Sequence, residues 1–150
     1  MMRFKPRFRL AEGLPAPTQH EFRTRALRHG NKLLFVEGAS SYDAAVETIE
    51  RAFLLDDDLN LARKCTLGLL SNLKQACGGD FDRVVRCLKL TALINTAAEF
   101  KDHPKVADAA SDLLVQVFGE SGKHVRSAIG VDNLPSGVAI QMLAVFEIRP

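Results

Sequence analysis

The chain has 150 residues, of which 47% are hydrophobic. That is the size of one domain with a core that needs no disulfide bonds. The longest uncharged apolar runs, at 67–73 and 138–146, are far short of the roughly 20 residues needed to cross a bilayer, so we expect a soluble protein. The net charge of +2 is unevenly spread, because residues 1–32 hold eight Lys/Arg against two acids.

The first eleven residues form a basic segment with Arg3, Lys5, Arg7 and Arg9. Three interpretations remain open: an organellar targeting peptide, which would favour mitochondria over the cytoplasm, an arm that contacts RNA phosphates or an acidic protein surface, and a solvated tail. Two prolines in 14–17 forbid helix there, so we divide the chain into a basic extension at 1–17 and a domain at 18–150.

The domain opens with a predicted β-hairpin. Strands at 22–27 and 32–36 flank Gly30-Asn31, a pair suited to a tight turn, and Gly38 is expected to break the second strand. A helix over 43–53 follows. The three aspartates at 56–58 favour the positive N-terminal end of the next helix rather than a metal site.

Two amphipathic helices and three more strands complete the prediction. The first helix covers 59–76 with an apolar stripe and ends at Gly78-Gly79; the second runs from Pro104 to Gly119. Strands are predicted at 85–94, 124–131 and 138–148. We therefore expect an α+β domain with two main helices packed on one face of the sheet.

The last strand predicts self-association. Alternate residues from Val138 to Ile148 form one apolar face, and Ala139, Leu143 and Val145 make the other nearly as apolar. Two helices can cover only one face of one sheet, so the other face needs a partner. We expect a homo-oligomer whose sheets pack together.

The sequence predicts no metal site and no cofactor. Cys65, Cys77 and Cys87 form no CxxC pair, the four histidines show no ligand spacing, and we expect buried thiols in a reducing compartment. No glycine-rich phosphate loop or Ser-His-Asp set is visible.

Six local segments together resemble the RidA/YjgF family, and the resemblance covers about 22–148. The segments are 30–38 (GNKLLFVEG), 78–85 (GGDFDRVV), 89–91 (KLT), 126–127 (RS), 134–138 (LPSGV) and 144–148 (AVFEI). The resemblance implies a chorismate-mutase-like fold, a homotrimer with clefts between subunits and, for the best-known branch, hydrolysis of 2-imino acids to 2-oxo acids.

In that chemistry an arginine holds the substrate carboxylate and a second carboxylate activates water. Arg126 matches the arginine. Gln141 occupies the position of the water-activating glutamate, and an amide cannot act as a general base. Glu37 stands where active members have serine; if it pairs with Arg126, an anionic substrate loses its anchor.

The remaining pocket candidates are less definite. Thr24 falls near a tyrosine of the family, Ser127 follows the arginine, and His124 shares a strand face with Arg126. His124 is interpreted either as a substitute acid/base or as a structural histidine.

Three functions stay open. The leading hypothesis is a trimeric RidA-like subunit without deaminase activity, which binds partners, for example in an organellar RNA–protein assembly. The alternatives are a 2-imino acid deaminase that uses Arg126 with Gln141 or His124, and a sensor that binds a 2-oxo acid without turnover.

Overall fold

The structure is a computed structural model, and it describes residues 26–39 and 57–150. Here a five-stranded mixed sheet carries two long helices on one face. The elements are β1 (Ala26–His29), β2 (Leu33–Ala39), α1 (Asp57–Ala76), β3 (Val84–Asn95), α2 (His103–Phe118), β4 (Val125–Val131) and β5 (Ile140–Ile148). The basic segment, Thr24 and the helix predicted over 43–53 lie outside the described residues. The predicted fold class is confirmed.

The strands follow the order β1-β2-β5-β3-β4. Neighbours are antiparallel except β3 and β4, which are parallel, so a crossover must join them and α2 supplies it. β4 is an edge strand, and this edge carries the candidate site.

The predicted hairpin is confirmed in its antiparallel pairing and in its turn at Gly30, whose φ of 61° suits glycine. Arg28 and His29, predicted in the turn, belong to β1, and 22–25 lie outside the described residues. The expectation that Gly38 ends the second strand is wrong. β2 continues to Ala39, and Gly38 pairs with Met142 of β5. Pairing with β5 continues to Ala39 and Gln141, so the ladder keeps a glycine that would weaken an isolated strand.

Both long helices lie within two residues of their predicted bounds. α1 begins at Asp57, and Gly78 and Gly79, at φ 67° and 86°, follow its end. The stripe of α1 and the inner residues of α2 form the core together with the facing side of the sheet. Its largest fully buried side chains include Leu69, Leu70, Leu73, Leu113, Leu114, Phe118, Phe146 and Met142.

The predicted strands are also confirmed with small shifts. β5 begins at Ile140 rather than Val138 because Pro135–Gly137 form a 3₁₀ turn ahead of it. Cys65, Cys77 and Cys87 are buried and in no disulfide, as predicted. Within residues 26–39 and 57–150, neither helix combines the length and hydropathy that a membrane crossing requires.

Among the described residues, the face of the sheet opposite the two helices carries partly exposed apolar side chains, and we call it the uncovered face. Along β5, Ile140, Met142 and Ala144 point into the core, while Leu143 points to this second face. Phe35, Leu143 and Ile129 are 44%, 41% and 46% exposed there. The two-sided apolar pattern predicted for the last strand is therefore present, and the oligomer inferred from it stays a prediction.

Candidate functional site

Arg126 lies on β4 and faces the helix side of the sheet. Its register partner in β3 is the fully buried Leu90, so both side chains project toward the helical layer. There its Nη1 donates hydrogen bonds to Oδ1 of Asp108 at 2.7 Å and to Oγ of Ser111 at 3.2 Å. Residues three apart on a helix share a face, so α2 presents both acceptors to the arginine.

His124 extends this arrangement. Its Nδ1 lies 2.6 Å from the carbonyl oxygen of Gly122, which can only accept, so Nδ1 must carry a proton. In the neutral ring Nε2 is then the acceptor, and the Ser111 hydroxyl donates to it at 2.9 Å. Arg126 thus donates to Ser111, and Ser111 in turn donates to His124. Because both ring nitrogens are engaged, the structural interpretation of His124 is favoured over a substitute acid/base.

The position of His124 depends on a close backbone approach. The 3₁₀ turn Gly119–Gly122 folds back on α2, and a Cβ at residue 122 would overlap the carbonyl of Leu114. Only glycine fits there without displacement of backbone. The turn thus brings the 122 carbonyl to the imidazole and sets the start of β4.

The site is open to solvent and electrically balanced. The Arg126 and Asp108 side chains are 24% and 58% exposed. Two lysines close to the site in sequence have partners of their own: Lys105 lies 3.3 Å from Asp102 and Lys123 lies 2.9 Å from Glu120. An approaching anion therefore meets an ion pair rather than an isolated positive charge.

The structure does not bring Gln141 to Arg126 within one chain. Gln141 lies on β5, where it alternates with the buried Ile140 and Met142 and so faces the uncovered side. Arg126 faces the helix side, and β3 separates their strands. A site containing both residues would need two copies of the chain.

Glu37 is equally remote. It lies on β2 in register with Leu143, and two strands separate β2 from β4. At the usual strand spacing the distance between them is roughly 14 Å. The carboxylate that contacts Arg126 is that of Asp108.

Ser127 does not join the hydrogen-bonded cluster around Arg126 within one chain, and its assignment to the pocket stays a prediction. Adjacent residues of a strand point to opposite faces, and Ser127 Oγ accepts a hydrogen bond from Lys89 Nζ at 3.1 Å on the uncovered face. Thr24 lies outside the described residues.

Sequence reasoning missed Asp108 and Ser111. The signal available was two polar residues three apart on a strongly amphipathic helix, a spacing shared by many solvated helix faces. In the described ranges, no group of three His, Cys, Asp or Glu side chains is placed to hold a metal ion.

The chain forms a two-layer α+β domain of the chorismate-mutase-like class. Its mixed sheet has one parallel crossover and two helices on one face, and Arg126 with its hydrogen-bond partners lies at the β4 edge. The family model described as "YjgF/chorismate mutase-like, putative endoribonuclease" matches residues 29–145. The chain belongs to this family, as its local segments predicted.

Individual relatives agree with this assignment. Protein TCP17 of Trypanosoma cruzi is 44% identical over 89 residues, which are 59% of this chain and 55% of that protein. The chain thus spans about half the length of this curated relative. The structure of protein Atu1372 from Agrobacterium tumefaciens, described as of unknown function, superimposes with a TM-score of 0.81 at 27% identity, covering 93% of this chain and 90% of that one.

Escherichia coli TdcF, solved with bound serine, is more distant. Its TM-score is 0.59 at 17% identity, with 93% of this chain and 97% of that chain covered. At this identity the similarity shows the fold alone.

Proposed function

We propose that the chain is a non-catalytic RidA-type subunit, which acts by binding rather than by hydrolysing 2-imino acids. The observation that carries this proposal is Gln141, an amide at the position where the family resemblance implies the general base. The Asp108 carboxylate, 2.7 Å from Nη1 of the arginine that would hold the substrate, supports it as a second change.

The energies involved show whether Asp108 beside Arg126 or Gln141 at the general-base position has the larger effect on turnover. Displacing a partly exposed carboxylate from Arg126 costs up to about 1 kcal/mol, which weakens binding without preventing it. A positioned general base contributes roughly 10²–10⁴-fold in rate, and the Gln141 amide cannot replace it. The glutamine therefore accounts for loss of turnover, and Asp108 for altered ligand preference.

The competing function is a 2-imino acid deaminase. Imines hydrolyse readily, so an oriented water alone could suffice. Against it, the imidazole of His124 is held between Ser111 and the Gly122 carbonyl.

The proposal includes a homotrimer formed through the uncovered face of the sheet. Its support is the exposure of Phe35, Leu143 and Ile129 on one side of a sheet whose other side is covered. Contact with RNA or with an acidic partner, and an organellar location, are proposed from the charge of the basic segment alone.

The deciding experiment is hydrolysis of freshly generated 2-imino acid by the purified protein. We expect the wild-type rate to equal that of Arg126→Ala and of the buffer. Arg86→Ala, which removes an exposed arginine of β3, is the matched control. Gln141→Glu tests whether restoring the carboxylate restores a rate.

Hydrolysis by wild type that Arg126→Ala abolishes and Arg86→Ala retains would overturn the proposal. It would establish the deaminase despite Gln141.

A further inference from the structure

Ser111 lies between a permanent cation and a side chain that can change its charge. Its Oγ accepts a hydrogen bond from Nη1 of Arg126 at 3.2 Å and donates one to Nε2 of His124 at 2.9 Å. Histidine is the side chain that ordinarily changes charge between pH 5 and 8. A serine hydroxyl carries one hydrogen, so a change at His124 alters what the same oxygen offers to Arg126.

We infer that Ser111 couples the protonation of His124 to the hydrogen bonding of Arg126, so that mild acid releases the guanidinium from one of its two acceptors. The three residues form a pH-sensitive switch at the β4 edge. The switch goes beyond the proposed function and does not depend on it, because it concerns how the arginine is held in the folded chain.

Protonation of His124 must reverse its hydrogen bond with Ser111. Nδ1 already donates to the carbonyl of Gly122 at 2.6 Å, so an added proton goes to Nε2. Nε2 then becomes a donor and the serine oxygen becomes its acceptor. The hydrogen of the serine hydroxyl must therefore turn to another acceptor.

α2 itself supplies a second acceptor for Ser111. A serine in a helix can donate to the carbonyl four residues earlier, which here belongs to Ala107. Thr66 makes this type of bond in α1, where its Oγ1 donates to the carbonyl of Ala62 at 2.7 Å. The serine hydroxyl thus has an acceptor for its hydrogen in both charge states of the imidazole.

Of the two hydrogen bonds from Nη1 of Arg126, the one to Ser111 is lost on protonation. The guanidinium and the imidazolium would both donate to one oxygen, and two positive charges so close together repel each other. The bond from Arg126 is the longer, at 3.2 Å against 2.9 Å for His124, and Asp108 still accepts from Nη1 at 2.7 Å. Arg126 therefore stays with Asp108, leaves Ser111 and rotates more freely.

The charged groups around His124 leave this change to the histidine. In the described part of the chain, those on the elements packed against it are paired, exposed or on the other face of the sheet. They are Asp108 with Arg126, Lys123 with Glu120, the exposed Asp112 of α2, and Arg86 and Lys89 of β3, which face the uncovered side beside Glu147 and Ser127. Carboxylate, ammonium and guanidinium groups ordinarily keep their charge between pH 5 and 8.

The test follows the Arg126 guanidinium of the purified protein by NMR across this pH range. Its rate of rotation about the Nε–Cζ bond is read from the line shapes of its two Nη signals, and the charge of His124 is read from the ¹³C shifts of its ring. We expect rotation to become about fivefold faster as the ring gains a proton, the change in rate that corresponds to one hydrogen bond.

Variants separate this coupling from other effects of pH. His124→Gln and Ser111→Ala should each make the rotation rate independent of pH, and the ring of His124 should still gain a proton in Ser111→Ala. Ser111→Thr, which keeps the hydroxyl, should keep the change. His103→Gln is the matched control. It removes a half-buried histidine of α2 whose Nε2 lies 3.1 Å from Oγ1 of Thr96, and it should keep the change too.

A rotation rate that stays constant while His124 gains a proton would overturn the switch, as would a ring that keeps one charge throughout the range. A change that persists in His124→Gln or Ser111→Ala, or that disappears in His103→Gln, would also overturn it. Far-UV circular dichroism confirms that each variant is folded. Imine hydrolysis is measured separately, so failure of the switch and failure of the proposed function are distinguishable.

Discussion

At the scale of single residues, the sequence identified the arginine but not its partners. Arg126 stands in a recognisable local segment, and His124 follows from the alternation of a strand. Asp108 and Ser111 could not be identified, because the turn of α2 that crosses β4 depends on packing between elements distant in sequence. The contacts span 18 and 15 residues.

Cys87 offers a residue-scale prediction. Burial raises the pKa of its thiol from 9.0 to about 12, and the hydrogen bond with the Lys89 backbone and the charge of Arg86 only partly oppose this effect. Between pH 9 and about 12 the folded state holds a proton that the unfolded state has lost. This contribution to stability is complete below pH 9 and declines as pH rises, by at most about 1.4 kcal/mol per unit.

Urea denaturation of wild type and Cys87→Ala between pH 8 and 10.5 measures this effect. We expect the free energy of unfolding to fall more steeply with pH in wild type, whatever the absolute cost of the substitution. If the free energy of unfolding changed with pH equally in the two proteins, Cys87 would not have the raised pKa.

At the scale of elements, the turn after α2 connects the core to the candidate site. Gly119–Gly122 folds back on Leu114, delivers a carbonyl to His124 and leads directly into β4. The sequence predicted the helix end from Gly119. It could not show that Gly122 is needed for a close backbone contact, since that contact exists only in the folded chain.

Two glycine substitutions test this element. Gly122→Ala should destabilise the protein by roughly 1–3 kcal/mol, because backbone must move to admit the methyl group. Gly68→Ala lies inside α1 with open space at its Cβ position, and it should stabilise by about 0.5–1 kcal/mol. Chemical denaturation measures both.

If both variants lost the same stability, the close contact of residue 122 with the Leu114 backbone would not explain the cost of Gly122→Ala. If the NMR chemical shifts of the His124 ring changed in Gly122→Ala and not in Gly68→Ala, the turn at 119–122 would be shown to position His124.

At the scale of the whole molecule, the uncovered face of the sheet is where we propose that copies of the chain assemble. On this face Phe35 lies beside Val145, and Leu93 lies beside Ile129, on neighbouring strands. In a single chain these apolar side chains stay in contact with water, and a second copy packed on this face would bury them. Gln141 lies on the same face, so the proposed assembly would also determine what surrounds it.

Leu143→Lys places a charge on this face and should dissociate the proposed trimer into monomers. Val115→Lys, a comparably exposed position on α2, is the matched control and should leave the mass unchanged. Size-exclusion chromatography with light scattering gives the mass of each. A monomeric wild type, or dissociation by both variants, would contradict assembly through the sheet.

The sequence alone determined the elements and the family, because periodicity, turn glycines and helix-flanking residues act over a few neighbouring positions. It placed α1, α2 and most strands within two residues. The extent of β2 past Gly38, the separation of Ser127 from Arg126 and the Asp108–Arg126 pair were decided only by the tertiary structure. Each depends on which strand or helix packs alongside, and that choice is made by the burial of the whole core rather than by any local pattern.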